Sequence, residues 1–430
     1  MLPVPSFNAN VDGAANVAVV EGINDNVTQT RDAQGNVDRH PATFTGLDGL
    51  ATLRLTARDA DTQSIQIRAR TQVYVGLDSV PTPAPNASLS LSYGATFTTS
   101  PRGALAVSAT ASATSIASAR TGDGNFLLTL DPTASATSVA SYGLFLTYSY
   151  ALAPRWTFSQ YAGGTVTNTL SAPPLQAANG VVLERGGIDG VLPSATTSLG
   201  HELGKRDTGT VSVNYRYVYS PYALSIGTNP PQLAGPQSIH QVGPSVGLTH
   251  AFSETVTTTT AVGFSMTTPQ AIDPDQRIVV FPTGSEQLTV TGSRWTVRSL
   301  ASLSYSSVSA RLGAGPTVAF TGSISGAPIQ GRAYRALHVV GSVQATHSSV
   351  PAAGGGSASI EALGAGVEAR YGLTRWLGIY SGYDLRGTSS FVPGDPATIR
   401  QIFFLGLSGY FTTDGNLPPI ETTPTPYTPG

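Results

Sequence analysis

A serine flanked by glycines is the first motif in this sequence with the residues for covalent chemistry. Gly243, Ser245 and Gly247 match the G-x-S-x-G pattern, in which a serine nucleophile sits on a sharp turn between a strand and a helix. The surrounding residues alternate as in a β-strand, so no such turn is predicted. Residues 200–205 echo a phosphate-binding loop and an H-E-x-x-H zinc site. The first pattern needs one more residue, and Lys205 stands where the second needs histidine. We therefore predict that the protein is not an enzyme.

Metal and cofactor chemistry also finds little support in the residue types. The sequence has no cysteine, which excludes disulfides, Cys-ligated zinc and thiol catalysis. Residues 122–125 are too few for a calcium loop. The histidines are scattered without ligand spacing, at His40, His201, His240, His250, His338 and His347. We predict no cofactor and no metal site. A net charge of −2 predicts no nucleic-acid partner.

Arginines are the more informative polar residues, because many fall on the polar side of alternating segments. Four lie on one predicted hairpin, at Arg54, Arg58, Arg68 and Arg70. The others with the same placement are Arg216, Arg298, Arg311, Arg370 and Arg386, beside the acids Glu368, Asp384 and Glu202. Arginines that line a pore favour anionic or phosphate-bearing solutes. We predict that these residues tune selectivity. The alternative is that they pair with acids and carbonyls of the wall and fill the interior.

The segments that carry these residues alternate between apolar and polar with a period of two. In 62–77, Ile65 and Ile67 alternate with Gln66 and Arg68, and 88–98 repeats the pattern. Successive side chains of a strand point to opposite faces, so each segment has one apolar and one polar face. Only 11% of the residues are charged, well below the roughly 25% usual for soluble domains. Many such segments separated by turns are typical of transmembrane β-barrels.

Alternation and turn residues together give seventeen candidate strands, joined by connections that are alternately short and long. The candidates are 13–25, 42–58, 62–77, 86–99, 103–117, 139–153, 155–169, 194–206, 208–223, 238–252, 254–267, 291–306, 308–321, 331–347, 356–372, 374–387 and 399–411. Bacterial single-chain barrels close with an even number of strands. We therefore predict an all-β, single up-and-down antiparallel barrel of about 18 strands, with 16 as the alternative.

The same pattern divides the chain into three parts. We predict an N-terminal periplasmic segment (1–12), a transmembrane barrel (13–411) and a Pro/Thr-rich, disordered periplasmic tail (412–430). Aromatic residues such as Trp156 and Trp376 lie near predicted strand ends, where they would sit at the membrane interface. Outer-membrane lipid and lipopolysaccharide are the expected surroundings.

Short motifs at both ends of the barrel resemble a known group of proteins. Residues 22–27 look like a first-strand G-Y-D-x-N-V motif, and 381–386 and 403–411 look like the last two strands. Together they resemble the β-barrel porins found with bacterial exopolysaccharide operons, including barrels of myxobacterial polysaccharide secretion. The resemblance implies a Gram-negative outer-membrane channel that works with periplasmic polysaccharide-export components. The final-strand motif implies recognition by the barrel-assembly machinery.

These observations lead to one expected function and two alternatives. We expect an outer-membrane channel that passes solute or polymer, with export of a secreted polysaccharide as the specific hypothesis. The first alternative is a general diffusion porin whose pore is narrowed by an infolded loop, either 170–193 or 268–290. The second is a structural or receptor barrel with a plugged lumen, in which the long loops bind the ligand.

Overall fold

The computed structural model consists of β-strands and their connections. It describes residues 9–31, 37–57, 61–77, 86–116, 137–171, 175–176, 182–183, 187–221, 223–225, 232–270, 278–309, 313–329, 335–351, 357–388 and 398–412. Arg58, Arg311 and most of the predicted tail fall outside these residues. Within them, no helix has the length and apolar character needed to cross a membrane.

The strands are numbered in chain order. They are β1 (Ala9–Arg31), β2 (Val37–Ala57), β3 (Thr62–Gly76), β4 (Asn86–Ser100), β5 (Gly103–Ile116), β6 (Thr137–Ala153), β7 (Trp156–Ser171), β8 (Leu175–Gln176), β9 (Val182–Leu183), β10 (Gly187–Glu202), β11 (Asp207–Ser220), β12 (Ala223–Ser225), β13 (Gln232–Ala234), β14 (Gln237–Ala251), β15 (Val256–Thr267), β16 (Val279–Thr291), β17 (Trp295–Ser309), β18 (Gly313–Ile329), β19 (Leu337–Pro351), β20 (Ser357–Gly372), β21 (Leu377–Thr388) and β22 (Thr398–Thr412). The short pairs β8–β9 and β12–β13 form two separate hairpins in connections.

The other eighteen strands form one closed antiparallel barrel. Closure comes from the pairing of the first strand with the last, which runs from Ala14 opposite Thr412 to Asn24 opposite Ile402. A closed sheet leaves no edge with unpaired backbone groups, as a membrane-spanning sheet requires. The predicted fold class and the predicted count of 18 strands are confirmed.

The two faces of the sheet differ as the alternation predicts. On β22, Phe403, Leu405 and Leu407 are 54%, 52% and 54% exposed on the outer face, whereas Ser408 on the inner face is fully buried. The same exposed apolar outer face recurs on the neighbouring strands, for example at Val17 and Val19 of β1. The exterior is therefore an apolar belt, and the polar face lines the lumen.

The connections differ in length at the two ends of the barrel. One end carries tight turns such as Pro101–Arg102 and Pro154–Arg155, together with the first residue of β1 and the last of β22. The other end carries connections such as 117–136 and 172–186. In outer-membrane barrels the short turns face the periplasm and the long loops face outward.

One strand, β16, was missed by the sequence prediction. Residues 279–291, assigned to the long connection 268–290, form β16, which pairs with β15 from Val256 to Thr267. Pro282 and Gly284 interrupt its alternation, and both residues are typical of loops. With β16 added, the turn 373–376 falls at the short-turn end, as its length indicates.

Candidate functional site

A charged cluster lies on the inner wall, beginning with three side chains of the β2–β3 hairpin. Asp48 is directly opposite Arg70 in the register, and Arg68 lies two residues away on the same face. Arg68 Nη2 is 2.9 Å from Asp48 Oδ2, and Arg68 Nε donates to Oδ1 at 3.2 Å. Arg70 donates to Oδ2 through Nε at 3.1 Å and Nη2 at 3.0 Å. One carboxylate therefore fixes two guanidinium groups, and the trio keeps a net positive charge.

A second group reaches the cluster from the other side of the closing seam. Tyr380 on β21 donates its hydroxyl to Glu368 Oε2 at 2.7 Å. The guanidinium carbon of Arg370 on β20 lies 5.5 Å from the centroid of the Tyr380 ring, within the range of a cation–π contact. Tyr380 pairs with Gly406, which pairs with Val20 and then Gly46. The glycines in this row leave room on the wall for the long side chains.

Aromatic rings cover the wall beside the charged cluster. Phe44 and Tyr74 have ring centroids 5.9 Å apart, and Tyr380 and Phe404 have centroids 5.2 Å apart. A Cβ on Gly22 would lie 2.4 Å from Phe44 Cζ, so only glycine accommodates this ring. We define the lumen patch as Asp48, Arg68, Arg70, Glu368, Arg370 and Tyr380. Its chemistry suits a small anion, with apolar surface beside the charges.

The structure brings some of the sequence-predicted arginines together and separates others. Arg68, Arg70, Arg370 and Glu368 lie in the lumen patch, and Arg386 is paired with Asp384 at 2.6 Å farther along the inner wall. By register, Arg54, Arg216 and Arg298 face the lumen at separate places. Arg58 and Arg311 lie outside the described residues. The predicted role of all these residues in selectivity stays a prediction.

Four charged residues of the inner wall were missed from the sequence, namely Asp12, Asp48, Asp189 and Arg400. Asp48 has the same strand parity as Arg54, and that parity alone would have placed it in the lumen. Arg400 is 6% exposed and pairs in register with Arg386. Arg400 has the same strand parity as the inward Ile402, and that parity would also have placed it in the lumen.

A hairpin bends away from the wall and into the lumen. Pairing between β16 and β17 stops at Gly284 opposite Leu303. Pairing between β18 and β19 stops at Thr317 opposite Ser348. Between these points Tyr305 still pairs with Pro316, so β17 and β18 continue as a hairpin that no longer pairs with β16 or β19. We call residues 304–309 and 313–316 the infolded hairpin.

The buried side chains of this hairpin show which way it bends. Tyr305 and Ala314 continue the parity of outward residues, yet they are 6% and 0% exposed. Both pack against Val218 and Ile239, which are inward residues of β11 and β14. The outer face of the hairpin therefore lies on the inner face of the opposing wall strands, inside the barrel.

Polar contacts hold the infolded hairpin in this position. Gln270 Nε2 donates to Ala314 O at 2.7 Å and to Tyr305 Oη at 3.3 Å, and Ala314 N donates to Gln270 Oε1 at 2.9 Å. The side-chain amide of Gln241 donates to Tyr305 O. The ring of Phe281 is 5.6 Å from that of Tyr305. Of the two loops expected to fold inward, 268–290 contributes Gln270 to these contacts and forms the wall strand β16 from Val279. Residues 172–174, 177–181 and 184–186 of the other loop lie outside the described residues, so its infolding stays a prediction.

The other chemical motifs have simple surroundings. Ser245 faces inward, and its hydroxyl is 2.7 Å from that of Ser212. His201 stacks on Trp156 with centroids 4.1 Å apart. Among the residues described, no group of three or more His, Asp or Glu side chains is arranged to hold a metal ion.

Comparisons with known proteins return matches only among solved structures, since no family profile and no curated protein matches. The FrpB iron transporter from Neisseria meningitidis is 10% identical, with a TM-score of 0.43 over 92% of this chain and 82% of that chain. The copper transporter OprC is 10% identical, with a TM-score of 0.46 over 95% and 82%. The ferric citrate transporter FecA is 9% identical, with a TM-score of 0.43 over 93% and 78%.

The decisive observation is the closed sheet with an apolar belt on its outside and charge on its inside. A soluble protein would expose this belt to water, whereas a bilayer covers it. The chain is an outer-membrane β-barrel. Its porin-like architecture is clear from closure and strand count. The resemblance of 22–27, 381–386 and 403–411 to exopolysaccharide barrels finds no support in the comparisons.

Proposed function

We propose that this outer-membrane barrel is a transport channel, narrowed by the infolded hairpin, that favours small anionic solutes. The position of Tyr305 and Ala314 on the inner wall carries the proposal. An 18-stranded barrel is wide enough for an aqueous channel unless something fills it. A hairpin held by Gln241 and Gln270 reduces that width and turns a wide pore into a selective one.

The preference for anions follows from the charges of the inner wall. Among inward residues that the structure describes, the arginines are Arg54, Arg68, Arg70, Arg216, Arg298, Arg370, Arg386 and Arg400. The inward carboxylates are fewer, namely Asp12, Asp48, Asp189, Glu202, Glu368 and Asp384. Excess positive charge on a lumen wall lowers the barrier for anions and raises it for cations.

Polysaccharide export fits this geometry less well. A polymer could pass only if the infolded hairpin left the lumen. The hydrogen bonds from Gln270 to Tyr305 and Ala314 of the hairpin would then have to break. The hairpin instead supports the alternatives of a constricted porin and of a barrel with a plugged lumen. Contact with periplasmic export components remains a prediction that belongs to the export hypothesis.

Single-channel recording in planar bilayers tests the proposal. We expect a small, anion-preferring conductance from the wild-type barrel and a severalfold larger one from Gln241→Ala/Gln270→Ala, in which the infolded hairpin loses its anchors. Gln287→Ala is the matched control, because Gln287 has inward parity on β16 and does not contact the hairpin in any described bond.

The outcomes separate the candidate functions. Reversal potentials that show cation preference would refute the anion channel. If neither the wild type nor the double variant conducts, the lumen is plugged and the receptor alternative replaces the channel. Equal conductance in all three proteins would mean that the hairpin does not narrow the path.

A further inference from the structure

All three tryptophans of the chain occur in the same two-residue context at the short-turn end. Each directly follows an arginine, in Arg155–Trp156, Arg294–Trp295 and Arg375–Trp376. Each pair lies at the junction of a short turn with the next strand. Trp156 and Trp376 are 40% and 54% exposed, and Arg375 places its guanidinium carbon 4.2 Å from the Trp376 ring centroid.

A repeated backbone hydrogen bond places arginines at equivalent positions in successive hairpins. In each case the carbonyl of the last turn residue accepts a hydrogen bond from the next hairpin. The pairs are Ala151 N to Arg102 O (2.8 Å), Glu202 N to Arg155 O (3.0 Å), Ala251 N to Arg206 O (2.8 Å) and Ala327 N to Arg294 O (3.0 Å). The repeat continues with Thr291 N to Thr255 O, where threonine replaces arginine, and with Gly372 N to Ala336 O and Tyr410 N to Trp376 O, where the arginine comes one residue before the accepting carbonyl.

The side chains of these arginines are exposed around this rim. We call Arg102, Arg155, Arg206, Arg294 and Arg375, together with the three tryptophans, the arginine collar. Arg206 and Arg294 each donate one Nη1 bond, at 3.4 Å, to a carbonyl of the neighbouring hairpin, Phe252 O and Pro328 O. A guanidinium has five N–H donors, so these contacts orient the group and leave further donors available.

Acidic residues at the same rim do not cancel the collar. Asp207 is bound to His250 at 2.6 Å. Glu254 lies in the turn where Thr255 replaces the arginine, and Asp61, which accepts a hydrogen bond from Thr98 N, lies in the β2–β3 turn, so both acids are in turns without a collar arginine. The positive charge therefore follows the arginine positions around the rim.

We propose that the arginine collar binds the phosphate groups of acidic phospholipids in the leaflet at the short-turn end. Tryptophan settles at the depth of the headgroups, and Trp156 and Trp295 have outward parity on β7 and β17. That depth brings the preceding arginine level with lipid phosphates, which its planar fork binds through two donors. An acidic headgroup such as phosphatidylglycerol is favoured over a choline headgroup, whose cation repels the guanidinium.

The tryptophans provide the test, because all tryptophan fluorescence of this chain, excited selectively over that of its tyrosines, comes from the collar. The refolded barrel is placed in vesicles that mix brominated phosphatidylglycerol with phosphatidylcholine, or the reverse, and quenching gives the relative affinity at the collar. We expect phosphatidylglycerol to be preferred by the wild type. We expect Arg155→Gln/Arg294→Gln/Arg375→Gln to lose about fivefold of relative affinity for each arginine removed.

Three further variants keep the result interpretable. Arg54→Gln/Arg298→Gln/Arg386→Gln removes the same charge from the lumen and is expected to keep the preference. Arg155→Lys/Arg294→Lys/Arg375→Lys keeps the charge and reports whether substitution at these turns permits folding. Thr255→Arg adds an arginine at an equivalent position of the repeat and is expected to strengthen the preference.

Two results would overturn the proposal. The first is equal quenching by both brominated lipids in the wild type. The second is an unchanged lipid preference in the glutamine triple variant. If the anion conductance of that variant is reduced at the same time, the collar acts on soluble anions at the channel mouth. The test does not depend on conduction by the wild type, so it stands apart from the proposed channel function.

Discussion

At the scale of single residues, Asp48 decides how much positive charge the lumen patch presents. It accepts four hydrogen bonds from Arg68 and Arg70, which holds both guanidinium groups against the wall. Arg70 nevertheless remains 46% exposed, whereas Arg68 is 16% exposed. Arg70 is therefore the member of the pair that a solute meets.

Removal of the Asp48 charge is expected to increase anion selectivity. Asp48→Asn leaves two arginines without a counter-charge, so reversal potentials should shift toward anions, and unfolding in urea should become easier by about 1–3 kcal/mol. Arg70→Gln should shift selectivity the other way. The double variant should return toward wild-type selectivity, because one charge of each sign is gone. Reversal potentials that are unchanged in both single variants would show that solutes do not pass the lumen patch.

At the scale of elements, the alternation of apolar and polar residues predicts the two faces of a strand better than it predicts which strands pair. Seventeen of the strands follow from the period of two, because each has an exposed apolar face. The missed β16 contains Pro282 on the outer face, where turn chemistry outweighs the pattern. The infolded hairpin could not be predicted, since the alternation continues through Tyr305 and only the loss of neighbouring strands changes its position.

For the lumen patch, too, the sequence predicts which face each residue occupies but not which residues lie close together. Parity places Arg68, Arg70 and Arg370 on the inner face from the sequence. Their proximity depends on the register across the closing seam, which pairs the first strand with the last, as at Val20 and Gly406, and has no local sequence signal. The partner of Arg68 and Arg70 lies on their own hairpin and could have been found by the same parity.

Close packing between strands makes Gly22 irreplaceable. A Cβ there would lie 2.4 Å from both Phe403 O and Phe44 Cζ, and the carbonyl belongs to the backbone of the neighbouring strand. Gly22→Ala should therefore lower the free energy of unfolding by about 1–3 kcal/mol. Gly49→Ala is the matched control, because its nearest atom, Ala69 O, is 3.9 Å away. Equal stability of the two variants in urea titrations would show that β1 and β22 can separate at little cost.

At the scale of the whole molecule, the apolar belt sets where the barrel sits in the membrane. Its exposed side chains continue from β22 across the closing seam to β1, so the belt has no gap where the chain ends meet. Glu21 lies within this belt and is held by Thr45, whose hydroxyl is 2.9 Å from Oε1 and 3.0 Å from Oε2. A carboxylate is the least costly charge on a lipid-facing wall, and the threonine lowers the cost further.

The depth of a residue within the belt determines how much stability the barrel loses when that residue is replaced by arginine. Leu405 lies in the middle of β22 and is 52% exposed, whereas Leu203 lies at a short turn and is 59% exposed. Both side chains are apolar and similarly accessible, so a soluble protein would treat their replacement alike. In a bilayer, Leu405→Arg should destabilise the barrel by about 2–4 kcal/mol, and Leu203→Arg by about 0–1 kcal/mol, because only the first arginine must enter hydrocarbon. Reversible unfolding from vesicles measures both values, and equal costs would contradict the assignment of the mid-strand belt to the membrane core.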